Sequence, residues 1–250
     1  AVPGTTTVVD VGATGVMNYT SIKVGADCVL KFSPTGNSDS VTSKPVRLLV
    51  SGDVLIDGTV DLDGESGKDG LFNFVALGGV GGPGGYNGGS TGINGLAPHA
   101  GFGPGGGDAK PLDINLNCNN GFASGGNTIP IENDPRFQPL IGGSGGGGGC
   151  APSSFYGPTS GSGGAGALLI AASGTLTING AITAKGAPAK SHDVNNSTPQ
   201  GGAGSDGIIS MIASTIEGSG SISALKIITE SQDHQEAFVL DGTYYQLGLQ

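Results

Sequence analysis

The sequence predicts an all-β protein in which rungs of a parallel β-solenoid carry a long glycine-rich, partly polyglycine-II-like insertion, with essentially no α-helix. Three observations support this fold class. Glycine occupies 51 of 250 positions, and charged residues make up only 12%, about half the share in an average globular protein. Two distant stretches are alignable copies of one another. Dense glycine blocks lie between these copies.

The composition argues against helices. Glycine in a helix interior costs about 1 kcal/mol relative to Ala. The apolar runs are rich in β-branched residues, which favour strands, and no stretch of ten or more residues shows a helical stripe. Because the chain has no Trp and 5% aromatic residues, Val, Ile, Leu and Ala must pack the core.

An internal repeat provides the rungs. Residues 51–64 align without a gap on residues 173–186, and residues 215–224 align more loosely on residues 175–184. Each copy follows an apolar run, and a unit that cannot bury its apolar face alone is typical of a solenoid, in which copies stack. Residues 22–30 resemble a degenerate first rung.

The turn within each copy allows an alternative. Asp57-Gly58 and Asn179-Gly180 lie between alternating strands, and an Asx-Gly pair in that position is also a strong hairpin signal. Hairpins would give antiparallel pairs. The gapless alignment of two distant copies favours stacking.

The glycine-rich insertion separates the first two clear copies. Residues 78–107 contain 15 glycines and begin with triplets of period three, Gly78-Gly79-Val80 and Gly81-Gly82-Pro83. Gly/Ser-rich sequence can be a flexible linker, but ordered segments like polyglycine II are favoured here because the blocks bracket a non-repetitive stretch. We therefore expect rungs in 1–70, an insertion in 71–166, and further rungs in 167–250 that form one unit with 1–70.

The net charge and the N-terminal residues of the chain indicate which partners and which cellular location to expect. The net charge of −10 argues against nucleic acid, whose phosphates require Lys and Arg. No apolar run approaches the roughly 20 residues of a membrane span. A start at Ala1-Val2-Pro3 suggests a mature form after removal of a signal peptide, so we expect a secreted or cell-surface protein.

The three cysteines fit a secreted protein. Cys118 and Cys150 lie in loop-like segments and could form a disulfide. An odd count leaves one thiol over or pairs it between chains. Cys28 lies in an alternating strand and is expected to be buried as a small hydrophobe.

No catalytic motif is present. His99, His192 and His234 stand in polar sequence without a recognisable motif, and neither a nucleophile elbow nor a phosphate-binding lysine motif follows the glycines. We expect a non-enzymatic protein without a cofactor.

One acidic stretch suggests a cation site. Asp61, Asp63 and Asp69 fall in a glycine-interrupted segment at a strand end. Alternate Asp residues project to one side, and carboxylate and carbonyl oxygens suit Ca²⁺. The alternative is a solvated acidic turn.

Two stretches carry a family resemblance. Residues 45–61 and 163–175 look like parts of large glycine-rich secreted proteins of environmental bacteria, in which β-solenoid rungs alternate with loops rich in Gly-Gly. The resemblance extends over about residues 16–224 and implies architecture, with no catalytic residues. The glycine triplets also resemble, in composition, the polyglycine-II bundles of some phage tail-tip adhesins.

The open ends of a solenoid favour self-assembly, because they present unpaired backbone groups. We expect an extracellular structural protein, a filament or surface-layer subunit that joins head to tail with other copies through its terminal strands. The predicted assembly residues are Val8, Val9, Val11, Phe238, Val239, Leu240, Tyr244 and Tyr245.

An adhesin or carbohydrate-binding module that uses the glycine-rich region is the alternative function. It would present an exposed aromatic platform to surface glycans. The candidate residues in the glycine-rich region are Tyr86, Phe102, Phe155 and Tyr156. Pairing of the terminal strands, within the chain or outside it, distinguishes the two functions.

Overall fold

A computed structural model describes residues 4–33, 44–70, 74–93, 95–118, 123–127, 140–150, 157–190, 201–231, 235–240 and 243–248, with backbone alone from 226 onwards. This part of the chain contains strands and no helix. It therefore contains no helix that is long and apolar enough to span a bilayer. The strands are β1 Thr6–Asp10, β2 Val16–Tyr19, β3 Ile22–Val24, β4 Val29–Ser33, β5 Val46–Val50, β6 Val54–Ile56, β7 Thr59–Asp61, β8 Ala167–Ala172, β9 Thr175–Ile178, β10 Ala181–Thr183, β11 Ile208–Ala213, β12 Thr215–Glu217, β13 Ser221–Ser223, β14 Lys226–Ser231, β15 Gln235–Leu240 and β16 Thr243–Gly248.

The strands form a three-sided parallel β-solenoid, as predicted. Sheet A has the order β1-β4-β7-β10-β13, sheet B β16-β15-β14-β11-β8-β5-β2, and sheet C β12-β9-β6-β3. Three consecutive strands, one from each sheet, make a rung, and four rungs stack: β2-β3-β4, β5-β6-β7, β8-β9-β10 and β11-β12-β13. β14 continues sheet B in parallel, whereas β15 and β16 join it antiparallel.

The repeat seen in the sequence is the stacking register. Val54 lies beside Leu176 and Val60 beside Ile182, and Ile216 in turn pairs with Leu176. Asp57-Gly58 connects β6 in sheet C to β7 in sheet A, so it is a corner between sheets and not a hairpin turn. Stacked corners are linked, since Asn179 Nδ2 donates to Asp57 Oδ1 at 2.9 Å.

Aliphatic side chains fill the inside of the solenoid in columns. Because neighbouring rungs are in register, each inward-facing position stacks on the same position of the next rung. The columns run through Leu48, Ile170 and Met211 in sheet B, Ile56 and Ile178 in sheet C, and Val60 and Ile182 in sheet A, all of them buried. The sequence required such a core, since it has no Trp and only 5% aromatic residues.

The glycine-rich insertion is an ordered bundle of extended segments. They cover 62–70, 74–83, 84–93, 96–103, 105–112, 123–127, 140–150 and 157–166, together with 184–190 and 201–207. The last two segments leave and re-enter the solenoid between β10 and β11, so the bundle is built from two excursions of the chain. The boundaries predicted from the sequence place both of these segments in the part expected to form further rungs, 167–250.

The hydrogen bonds of the bundle have a period of three, as in a polyglycine-II helix. Segment 157–166 and the residue that follows it donate to three neighbouring segments in rotation. The first neighbour, segment 62–70, accepts from Ser160, Gly163 and Gly166. The second neighbour accepts at Gly89, Tyr86 and Pro83 from Gly161, Gly164 and Ala167, respectively. The third neighbour, segment 201–207, accepts from Ser162 and Ala165. The ordered interpretation of the glycine blocks is therefore confirmed.

Close approach of neighbouring segments explains the glycine content. A Cβ on Gly161 would collide with the carbonyl oxygen of Gly146. Several of the side chains buried in the bundle are small and carry a hydroxyl, among them Ser144, Thr159, Ser160, Ser162 and Ser205. Ser162 Oγ accepts a hydrogen bond from Gly67 N–H (3.0 Å) and donates to the carbonyl of Pro188 (2.7 Å). Such buried hydroxyls take over bonds that backbone groups make elsewhere.

Candidate binding surface at the outer end of the glycine bundle

The bundle has an inner end on the solenoid and an outer end directed away from it. At the inner end, Gly166 N–H donates to the carbonyl of Leu62 at 2.7 Å, and the chain enters β8 one residue later. At the outer end, Gly70 N–H donates to the carbonyl of Pro158 at 2.7 Å. The segments run alternately outward and inward, so turns collect at the outer end.

Exposed apolar side chains are concentrated at this outer end. Among the described residues, twelve large hydrophobic side chains are exposed, and six of them lie in the outer parts of segments or in outer turns. We call these six the apolar tip: Phe74, Val75, Leu77, Leu96, Ile114 and Leu116. Ile114 is 97% exposed and Phe74 69%. Clustering of this kind marks interaction surfaces, whereas single exposed hydrophobics are ordinary.

Backbone hydrogen bonds hold the parts of the tip together. Leu96 closes a tight turn with Ile93, and Gly95 N–H donates to the carbonyl of Leu116 at 2.9 Å. Thr91 N–H donates to the carbonyl of Ala76 at 2.9 Å, beside Val75 and Leu77. The apolar side chains therefore project from turns and segments that backbone hydrogen bonds hold in place.

The turn that carries Ile114 and Leu116 is organised by Asp113. Its Oδ1 accepts hydrogen bonds from the backbone N–H groups of Asn115 and Asn117, both at 2.8 Å. These bonds, that of Asn117 above all, lower the pKa of the Asp113 carboxyl. Leu116 has φ +61°, a conformation that branched side chains rarely adopt and that collects at functional positions.

A disulfide fixes the same end. Cys118 is bonded to Cys150, as the sequence analysis considered. The backbone of Cys118 also forms an isolated β-bridge with Leu112, and the backbone of Cys150 forms one with Gly92. The bond therefore joins the turn of Asp113 to segment 140–150. Cys28, by contrast, is buried in the solenoid core.

The predicted aromatic platform is only partly placed. Phe102 is 37% exposed and Tyr86 is half-buried. Both lie near the middle of the bundle, where Phe102 N–H donates to the carbonyl of Asn87 at 3.0 Å. Phe155 and Tyr156 lie outside the described residues. His99 lies on segment 96–103, and His192 and His234 also fall outside the described residues.

The predicted calcium residues have other partners. Asp61 Oδ2 accepts from Lys31 Nζ at 2.7 Å, and this bond raises the pKa of Lys31. Asp69 Oδ2 lies 2.9 Å from Lys190 Nζ. In the described part of the chain, no three His, Cys, Asp or Glu side chains come together as a metal site would require. Calcium binding by these three residues stays a prediction.

Asp63 lies between neighbouring segments. Its Oδ1 accepts from the backbone N–H of Lys185 at 2.7 Å. Although the residue as a whole is exposed, partial burial of the carboxylate there raises the pKa of Asp63, and nearby Asp61 adds to the increase. The hydrogen bond from Lys185 opposes it.

The predicted assembly residues are divided between strand edges and interior positions. Val8 on β1 is 59% exposed, Val9 is half-buried and Val11 is buried. Phe238, Val239 and Leu240 lie in β15, between β14 and β16, and Tyr244 and Tyr245 lie in β16 at the end of sheet B. The terminal strands therefore pair within the chain.

The comparisons with known proteins give no relative for this architecture. No family model matches the chain, and no curated protein or solved structure is significantly similar to it.

The apolar tip was missed in the sequence analysis. Its residues share no common periodic pattern, because they are distributed over separate short segments and turns. A signal did exist in Asp113-Ile114-Asn115-Leu116-Asn117, where apolar residues alternate with turn-forming Asp and Asn. In a turn, that alternation places apolar side chains in solvent.

Proposed function

We propose that this chain is a non-catalytic, secreted adhesin that attaches to an apolar surface through the outer end of its glycine bundle. The observation that carries the proposal is the apolar tip, which holds six of the twelve exposed large hydrophobic side chains among the described residues. Loops mounted on a rigid scaffold are the usual place for binding residues.

The chemistry of the tip favours an apolar partner over a glycan. Five of its six side chains are aliphatic, and Phe74 is the one aromatic among the described tip residues. Aliphatic groups offer no hydrogen bond to sugar hydroxyls. Burying one such side chain contributes about 1.5–3 kcal/mol, so a few of them can supply micromolar attachment.

Adsorption to defined surfaces tests this function. We expect the protein to adsorb to a methyl-terminated monolayer in a quartz crystal microbalance, and much less to a hydroxyl-terminated one. Ile114→Ser together with Leu116→Ser removes two exposed side chains of one turn. Affinity should fall by roughly tenfold or more, since each 1.4 kcal/mol is tenfold.

The matched control removes two exposed apolar side chains from the solenoid. Leu49 and Ile212 are each 39% exposed on the outer face of sheet B. Leu49→Ser with Ile212→Ser should leave adsorption unchanged. Equal loss in both double variants would mean that adsorption is non-specific, and the adhesin proposal would be abandoned.

Assembly is a separate property. By the criterion of terminal-strand pairing, the pairing of β1 with β4 and of β15 with β14 and β16 favours the adhesin. The outermost strands of each sheet still have one open side, and whether they join copies depends on their chemistry.

A further inference from the structure

The solenoid has two open edges per sheet. In the described part of the chain, sheet A ends in β1 and β13, sheet C in β3 and β12, and sheet B in β2 and β16. An open edge presents backbone N–H and C=O groups to any strand that fits. Native proteins blunt such edges with short strands or charged residues.

Sheets A and C are blunted in this way. In sheet C both edge strands have three residues, and they carry Lys23 and Glu217. In sheet A, β1 ends in Asp10, and β13 has three residues. Neither sheet offers a pair of long, uncharged edges.

Sheet B carries no charge on either edge strand. β2 (Val16–Tyr19) and β16 (Thr243–Gly248) contain no charged residue, and β16 has six residues. Arg47 N–H donates to the carbonyl of Gly15, and Ser51 N–H donates to that of Tyr19. Because backbone groups alternate along a strand, Asn18 between them directs its own N–H and C=O to the open side.

The polarity of sheet B suits a junction between copies. β15 runs antiparallel to β14, and β16 reverses once more, so β16 runs in the same direction as β2. Two copies in the same orientation would therefore meet through a parallel pair, like the pairs between rungs. β14 to β16 extend sheet B about 14 Å beyond β11, at about 4.8 Å per strand, so sheets A and C need not meet.

We infer that the open edge of β16 in one copy pairs in parallel with the open edge of β2 in a second copy, which joins the copies head to tail. This junction goes beyond adhesion and does not depend on it. The two edges are different surfaces, so the contact is heterologous, and where the rotation between copies does not close into a ring it leaves a free edge at each end. Such contacts build open filaments.

Edge charges test which sheet forms the junction. Val16→Lys places a charge on the β2 edge, and Val8→Lys places the same charge on the β1 edge in sheet A, at a valine that is more exposed (59% against 36%). Negative-stain microscopy and size-exclusion chromatography at rising concentration should show filaments for the wild type and Val8→Lys, and monomers for Val16→Lys.

Three outcomes would overturn the inference: a monomeric wild type, loss of filaments with Val8→Lys, or filaments that persist with Val16→Lys. Circular dichroism checks that each variant is folded. Should Val16→Lys fail to fold, Asn18→Lys tests the same edge, because Asn18 is exposed.

Cysteine cross-linking tests the pairing itself. Asn18→Cys protein is mixed with proteins that carry one added cysteine at successive positions from Thr243 to Gly248. Paired strands bring Cα atoms within reach of a disulfide, so alternate β16 positions should give cross-linked dimers. Cross-linking of Asn18→Cys only to itself would show a head-to-head contact and contradict the junction.

Discussion

Asp63 gives the stability of the protein a defined pH dependence. Its pKa is raised above the ordinary value of 3.8 by partial burial. Between 3.8 and the higher folded value, the folded state keeps a proton that the unfolded chain has lost. The free energy of unfolding therefore falls as pH rises through this window.

Asp63→Asn should remove this dependence. The amide oxygen can still accept from the N–H of Lys185, but the side chain no longer titrates. We expect the variant to gain stability relative to the wild type between pH 3 and pH 7, by less than about 1 kcal/mol because the residue is exposed. Thermal unfolding across this range measures the gain, and a difference that is constant with pH would contradict it.

Gly161 tests, at the scale of one segment, whether the bundle needs glycine. Gly161→Ala would place a Cβ against the carbonyl oxygen of Gly146. Overpacking of this kind costs about 1–3 kcal/mol, because the carbonyl belongs to a backbone that other segments hold in place. Urea denaturation should show this loss in the free energy of unfolding.

Gly125→Ala is the matched control within the same bundle. A Cβ there would meet nothing closer than 3.5 Å, so stability should change by less than about 0.5 kcal/mol. Similar losses in both variants would mean that alanine acts through chain flexibility and not through close packing.

The disulfide should stabilise the outer end. Cys118 and Cys150 are 32 residues apart, and closing such a loop restricts the unfolded chain by about 3–4 kcal/mol in the loop-entropy model. Cys118→Ser with Cys150→Ser should lower the melting temperature, and dithiothreitol should do the same to the wild type. A wild type that melts unchanged in reductant would contradict this role.

The solenoid was predictable from sequence because the alignment of the repeat copies is also the pairing register of the stacked strands. The offset that aligns residues 51–64 on 173–186 also pairs Val54 with Leu176. The path of the bundle was not predictable, because glycines lack side chains that could specify partners. Nothing in the sequence shows that Gly163 bonds to Glu65 or Ser162 to Gly202.

At the scale of the whole molecule, the tip and the proposed junction are separate. The tip stands at the outer end of the bundle, whereas β2 and β16 are the two edges of sheet B in the solenoid. A head-to-tail filament would therefore keep every tip available. Linked tips would raise the strength of attachment to one surface without any new contact.

The position of the bundle within the chain also affects how the protein folds. The second and third rungs are stacked neighbours, yet residues 62–166 separate β7 from β8. Contacts between residues so far apart in sequence form slowly, because a large loop must close first. Synthesis delivers the N-terminal rungs first. The edges of β5, β6 and β7 therefore stay exposed, and open to mispairing, until Ala167 has emerged.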